Sequence, residues 1–154
     1  MKKAEMVLAN FDARIPKIVI KPQNLASKVI ITSMVYDETT NAEISVKIIF
    51  ENVVAIDFRI NLFDCMIGSE AYGLYRISDQ AFVESVTRII FDRRREIFLL
   101  EGDYDYVEEE QHDMLNSYDI CGEFRKHIEE YSAYIQNVEA GAYIIIAKDV
   151  RIER

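Results

Sequence analysis

From Val54 to Leu62 the chain alternates strictly in its apolar positions. Val54, Ile56, Phe58, Ile60 and Leu62 occupy every second place, with Asp57, Arg59 and Asn61 among the residues between them. A helix would scatter those apolar side chains around its circumference, whereas an extended strand puts them on one face. The period-two habit recurs elsewhere. Lys28–Tyr36 is apolar at both parities, Val29, Ile31 and Val35 against Ile30, Met34 and Tyr36, which predicts a strand covered on both sides. After Asp37-Glu38-Thr39-Thr40-Asn41, the segment Glu43–Phe50 places Ile44, Val46, Ile48 and Phe50 on a common face, so the two segments read as a hairpin. A second hairpin is expected from Glu130–Asn137, a connector ending in Gly141, and Ala142–Ile152. In that last segment Ile144, Ile146, Val150 and Ile152 share one face, with Asp149 and Arg151 on the other. Pro16 and Pro22 bracket Lys17–Lys21, which suits an edge strand or an extended arm.

One segment has the period of a helix. Ser78-Asp79 precedes Phe82, Val86, Ile89 and Ile90, and either polar residue can accept the free amide hydrogens of a first turn, so a helix is predicted from Asp79 to Ile90. Arg93-Arg94-Arg95 suits the negative end of its dipole, and Ile97–Leu100 reads as another short strand. Glu123–Asn137 is ambiguous. Phe124, Ile128, Tyr131 and Ile135 form a helical stripe, yet Tyr131, Ala133 and Ile135 also alternate; the reading adopted is a strand over Glu130–Asn137 preceded by a helical turn. Asp64–Gly73 reads as a loop. Sequential hairpins without strand–helix–strand alternation predict a single α+β domain over residues 1–154. It is predominantly antiparallel β-sheet, a curved sheet or half-open sandwich, with one or two short helices.

At 154 residues, half of them apolar, the chain is long enough for a packed core without disulfide staples. Cys65 and Cys121 stand apart rather than in a CxxC pair and read as small buried hydrophobes in a reduced cytosol. Met1-Lys2-Lys3 is followed by Glu5, Asn10 and Asp12, which interrupt the apolar core a signal peptide needs, and no apolar run approaches membrane-spanning length; a cytoplasmic protein is expected. The net charge of −9 disfavours phosphate backbones and anionic lipid, and so argues against nucleic-acid or membrane binding. It favours solubility and can speed association with a basic protein partner. The oligomeric state is left open.

No familiar chemistry is written over the β pattern. Glu101–Asp113 carries Glu101, Asp103, Asp105, Glu108, Glu109, Glu110 and Asp113 but lacks the DxDxDG-x5-E order of an EF-hand, so a solvated acidic loop is expected before a calcium site. Tyr104 and Tyr106 interleave with these acids, as in a surface aimed at lysines or arginines. Neither His112 nor His127 has zinc-ligand spacing around it, and Cys121 lies six residues from His127, a separation that imposes no catalytic geometry. Gly68 and Gly73 do not belong to a phosphate-binding glycine loop. No cofactor, metal or catalytic residue is assigned. Asp57 and Asp149 read as surface acids on the polar sides of their strands, and the arginine triplet as a solvated helix end.

Three stretches carry a resemblance: VKIIFENVVAIDFRI at Val46–Ile60, YRISDQAFVESV at Tyr75–Val86, and EYSAYIQNVEAGAYIIIAKDVRIE at Glu130–Glu153. They resemble a loose group of small uncharacterised bacterial proteins, some taken to be immunity proteins that neutralise a toxin made by the same cell. The likeness covers about half of the chain and implies strands closing on a short helix, with no catalytic residues to carry over. The acidic stretch between Asp92 and Lys126 has no counterpart in the group. The expectation is a non-enzymatic, protein-binding immunity-type inhibitor of a basic toxin, with Tyr104, Tyr106, Glu108, Glu109 and Glu110 as contacts. The alternatives are a small-molecule-binding β-rich domain with the Asp64–Gly73 loop at its mouth, and a carboxylate-based hydrolase.

Overall fold

The computed structural model describes residues 4–9, 11–22, 27–60, 73–101, 122–138 and 141–154. They form two antiparallel sheets and a helical layer, an α+β fold without a closed barrel. The strands are β1 (Ala4–Ala9), β2 (Phe11–Lys21), β3 (Ser27–Asp37), β4 (Ala42–Val53), β5 (Ala55–Ile60), β6 (Gly73–Ile77), β7 (Ser132–Val138), β8 (Gly141–Ala147) and β9 (Asp149–Glu153). Helix α1 spans Gln80–Glu101; a short helix α2 (Gly122–Lys126) and a 3-10 turn (Ile128–Glu130) precede β7. The five-stranded sheet has the order β1-β6-β7-β8-β5 and the four-stranded sheet β2-β3-β4-β9.

The chain crosses between sheets without a loop. β4 becomes β5 at Val54, and β8 becomes β9 at Lys148. β4 pairs with β9 while β5 pairs with β8, so two neighbouring strands turn the corner together. Their registers show how. Glu51 faces Asp149 and Ala55 faces Ile146, which gives the β4–β5 side one residue more than its partner. β3 meets the same excess, since Ser27 faces Val53 while Val29 faces Phe50. The surplus is a β-bulge at Asn52, whose φ of 53° is the left-handed conformation that asparagine tolerates and β-branched residues resist. Backbone bonds from Val54 N to the Ile146 carbonyl (2.9 Å) and from Lys148 N to the Glu51 carbonyl (3.2 Å) pin the bend.

Two apolar cores result. Between the sheets lie Val29, Ile31, Val35, Val46, Ile48 and Phe50 from one side and Leu8, Leu74, Tyr134, Val138, Tyr143 and Ile145 from the other. Phe50 meets Tyr134 and Tyr143 edge-on, with centroids 5.5 and 6.2 Å apart, and Phe58 tilts against Tyr143 at 5.3 Å. Between the five-stranded sheet and the helical layer lie Ala55, Ile77, Val83, Val86, Phe124, Ala133 and Ile146.

Several expectations are met. The Asp37–Asn41 connector closes the first hairpin, with Asp37 Oδ1 accepting from Thr39 N (3.0 Å) and Asn41 at φ 51°. Lys17–Lys21 lies on an edge strand, and the pairing of β2 with β3 breaks on both sides of Arg14, short of the regular stretch that begins at Lys17. Asp79 caps α1 through Ala81 N (3.0 Å) and Phe82 N (3.4 Å). The double periodicity around Tyr131 resolves into a helical turn followed by a strand, and Phe124, Ile128, Tyr131 and Ile135 all pack in the helix-side core.

Other expectations are corrected. α1 continues through Arg93-Arg94-Arg95 and Ile97–Leu100 to Glu101, because no Gly or Pro interrupts a run of good helix formers; the short apolar run is not a strand. Arg93 pairs with Glu96 one turn on, at 3.1 Å, instead of ending the helix. Ile89 is 58% exposed, and the buried stripe is Val83, Val86, Thr87 and the half-buried Ile90; Thr87 hides its hydroxyl by donating to the Val83 carbonyl at 2.7 Å. β3 is fully covered on one face only, since Ile30 and Met34 are half-buried and Tyr36 is exposed. Ala142–Ile152 is two strands: Ile144 and Ile146 face the helical layer, Val150 and Ile152 the inter-sheet core. Val54 is an exposed corner residue, so it does not continue the Ile56–Phe58 face. Strands β1 and β6 escape the period-two reading. Gly73 opens β6 as a buried strand residue, where a Cβ would stand 2.4 Å from the Leu8 carbonyl oxygen; positions 64–72 of the expected loop lie outside the described residues.

The corner gives the first prediction. Replacing Asn52 by Val should lower stability by about 1–2 kcal/mol in urea unfolding, while Gly should cost far less, because only the β-branched side chain opposes the left-handed backbone. The buried polar pair gives the second. Tyr143 donates to Gln136 Oε1 at 2.5 Å across the β7–β8 ladder. Tyr143→Phe and Gln136→Leu should each cost on the order of 1–3 kcal/mol, and the double variant less than their sum, since it orphans neither group.

Candidate functional site

The residues singled out for partner contact, Tyr104, Tyr106, Glu108, Glu109 and Glu110, lie outside the described residues, as do Cys65, Cys121, His112 and Gly68. Their stretch is nevertheless the electrostatic centre of the chain. Positions 102–121 hold seven acids and no Lys or Arg, which leaves 20 acids against 18 bases elsewhere. The net charge of −9 is therefore concentrated in one segment between α1 and α2, and the remainder is nearly balanced.

Among the described residues one group has metal-ligand composition. His127, Glu129 and Glu130 bring one ligand atom each to within 4.8 Å of one another at the 3-10 turn, all three exposed. Glu130 is already engaged. Lys148 Nζ donates to Glu130 Oε2, His127 Nδ1 lies 3.3 Å from Oε1, and the ammonium stands 5.3 Å from the centre of the Tyr131 ring. A cation entering here would displace an ammonium from its carboxylate, so the group acts as a clasp. It ties the turn before β7 to the corner residue that carries the chain from β8 to β9. The Lys148 hydrogen bond, foremost, holds the Glu130 carboxyl below the usual glutamate range, and the same bond raises the Lys148 ammonium.

A second polar group sits beside the clasp. Arg76 Nε donates to Ser132 Oγ at 3.0 Å, and Ser78 Oγ lies 3.2 Å from the same oxygen. Ser132 is buried, so these contacts satisfy its hydroxyl and fix the start of β7 against β6. Deeper between the sheets, Gln136 Nε2 and Ser33 Oγ are buried without a hydrogen-bond partner. Phe50, Tyr134 and Tyr143 are buried in the same inter-sheet core. The two strand acids named from the sequence remain apart: Asp149 is exposed on β9, and Asp57 is half-buried on β5 with Arg59 Nη2 at 3.2 Å. Among the described residues no helix is long and apolar enough to cross a membrane.

The clasp has a definite pH behaviour. A carboxyl held below its ordinary value keeps the pair intact from neutral pH down through the usual glutamate range, and the contact is lost only as pH falls through the lowered value. Carbon NMR titration should show Glu130 protonating below an ordinary glutamate, and Lys148→Ala should return it toward the ordinary range. No protein-family model matches the chain, and no curated protein or solved structure shows significant similarity to it.

Proposed function

We propose that this protein works by binding another protein, as an immunity-type inhibitor whose acidic, tyrosine-bearing segment docks on a basic toxin. The observation that carries the reading is the concentration of charge: seven acids without a base in positions 102–121, beside a frame that is almost neutral. Carboxylates gathered in one stretch accelerate encounter with a cationic surface, and interleaved tyrosines supply apolar contact area with a polar tip. Tyr104, Tyr106, Glu108, Glu109 and Glu110 are the proposed contacts.

Co-purification with the product of the neighbouring gene, followed by titration calorimetry at two salt concentrations, tests the proposal. Truncating an anchoring tyrosine to alanine should cost about 2 kcal/mol of binding. Replacing all five residues by alanine should abolish measurable affinity and protection of cells, with the fold unchanged by circular dichroism. Unchanged affinity in that variant rejects the assignment.

A further inference from the structure

The four-stranded sheet ends in β2 on one side and β9 on the other, and no described strand pairs with the outer edge of either. The two edges have opposite character. On the solvent face, β2 presents Lys17 and Lys21, four residues apart, with half-buried Val19 between them. β9 presents Asp149 and Glu153, also four apart, with Arg151 between them. Among the described residues Lys17, Lys21 and Asp149 have no ion-pair partner, and Glu153 has only Arg151 within its own strand, at 3.6 Å.

The rows across the sheet put these residues at matching heights. Lys17, Thr32, Lys47 and Glu153 form one row, and Val19, Ile30, Ile49 and Arg151 the next. Lys21 faces Lys28, which meets Glu51 at 3.1 Å, and Glu51 faces Asp149. On the inner face the rows are Ile18, Ile31, Ile48, Ile152 and Ile20, Val29, Phe50, Val150. A second copy shifted across the strands therefore brings its β9 antiparallel to β2 in the same rows. Glu153 then meets Lys17, Asp149 meets Lys21, Ile152 meets Ile18, and Val150 meets Ile20, which is 57% exposed in the single chain.

We propose that a second copy of this chain docks head to tail on the four-stranded sheet, its β9 edge adding to the β2 edge through these four residue pairs. Like edges repel. Two β2 edges paired antiparallel would set Lys17 against Lys21, and two β9 edges would set Asp149 against Glu153 and Arg151 against itself; like charges directly opposite destabilise a ladder. The charges thus block symmetric edge pairing and select the heterologous one, which propagates as a ring or a chain. Irregular pairing of β2 with β3 before Lys17 confines the contact to the regular half of β2. These strands are separate in sequence from the proposed toxin-binding segment, and the inference does not rest on that reading.

Sedimentation velocity from micromolar to millimolar concentration tests it with a charge swap. The wild-type chain should associate with rising concentration. Lys17→Glu with Lys21→Glu makes both edges acidic, and Asp149→Lys with Glu153→Lys makes both basic. Each double variant alone should associate on the order of tenfold more weakly or worse, and an equimolar mixture of the two should recover association. Should a reversed-charge variant fail to fold, Lys17→Gln with Lys21→Gln should still weaken association. A wild-type chain that stays monomeric throughout overturns the proposal and leaves the edges to a foreign strand. Variants that associate as the wild type does, or a mixture that stays monomeric, overturn it as well.

Discussion

The corner where β4 passes into β5 beside β8 passing into β9 fixes the rest of this structure. Two adjacent strands leave one sheet and enter the other together, and the extra residue at Asn52 lets the outer path of the bend match the inner one. Because the strands are shared, neither sheet's position can change without breaking backbone bonds in the other. The apolar faces are forced together by covalent continuity as well as by burial. The aromatic cluster of Phe50, Tyr134, Tyr143 and Phe58 sits on the strands that make this turn or flank it, filling the angle that the bend creates.

The helical layer closes the other face of the five-stranded sheet over an apolar core, with polar contacts around it. Glu130 reaches Lys148 from the turn before β7, Arg125 on α2 reaches Glu84 on α1 at 3.6 Å, and Arg76 and Ser78 converge on Ser132. Each links elements distant in sequence, and the first reaches the corner at Lys148. Two features then stand apart in sequence: the acid-rich run at positions 102–121, and the lateral edges of the four-stranded sheet, cationic on β2 and mostly acidic on β9.

Much of the fold was legible in local pattern. Alternation at Ile44–Phe50 and at Ile56 and Phe58 assigned the right face, and Asp79 capped the helix where a short polar side chain was expected. The errors arose where a local signal has two physical readings. Ile97–Leu100 is apolar and too short to show its own period, so the uninterrupted helix before it decided its state. Ile89 belongs to an apolar doublet of which only Ile90 can face the sheet, and Thr87 takes the remaining buried place because its hydroxyl bonds back to the helix. β1 and β6 are short and pair with each other, and the close approach at Gly73 leaves only the absence of a side chain as a sign.

The candidate surfaces divide along the same line. Sequence alone determined the spacing of like charges on strands, the charge concentration in positions 102–121 and the parity of every apolar run, since each is a property of consecutive residues. Only the tertiary structure decided that Ile146 and Val150, of equal parity, enter different cores, and that Lys17 and Glu153 stand at the same height on opposite edges of one sheet. Those facts depend on where strands change sheet and on the register between segments more than a hundred residues apart. Alternation says which side chains share a face; the partner strand and the bend say what that face meets.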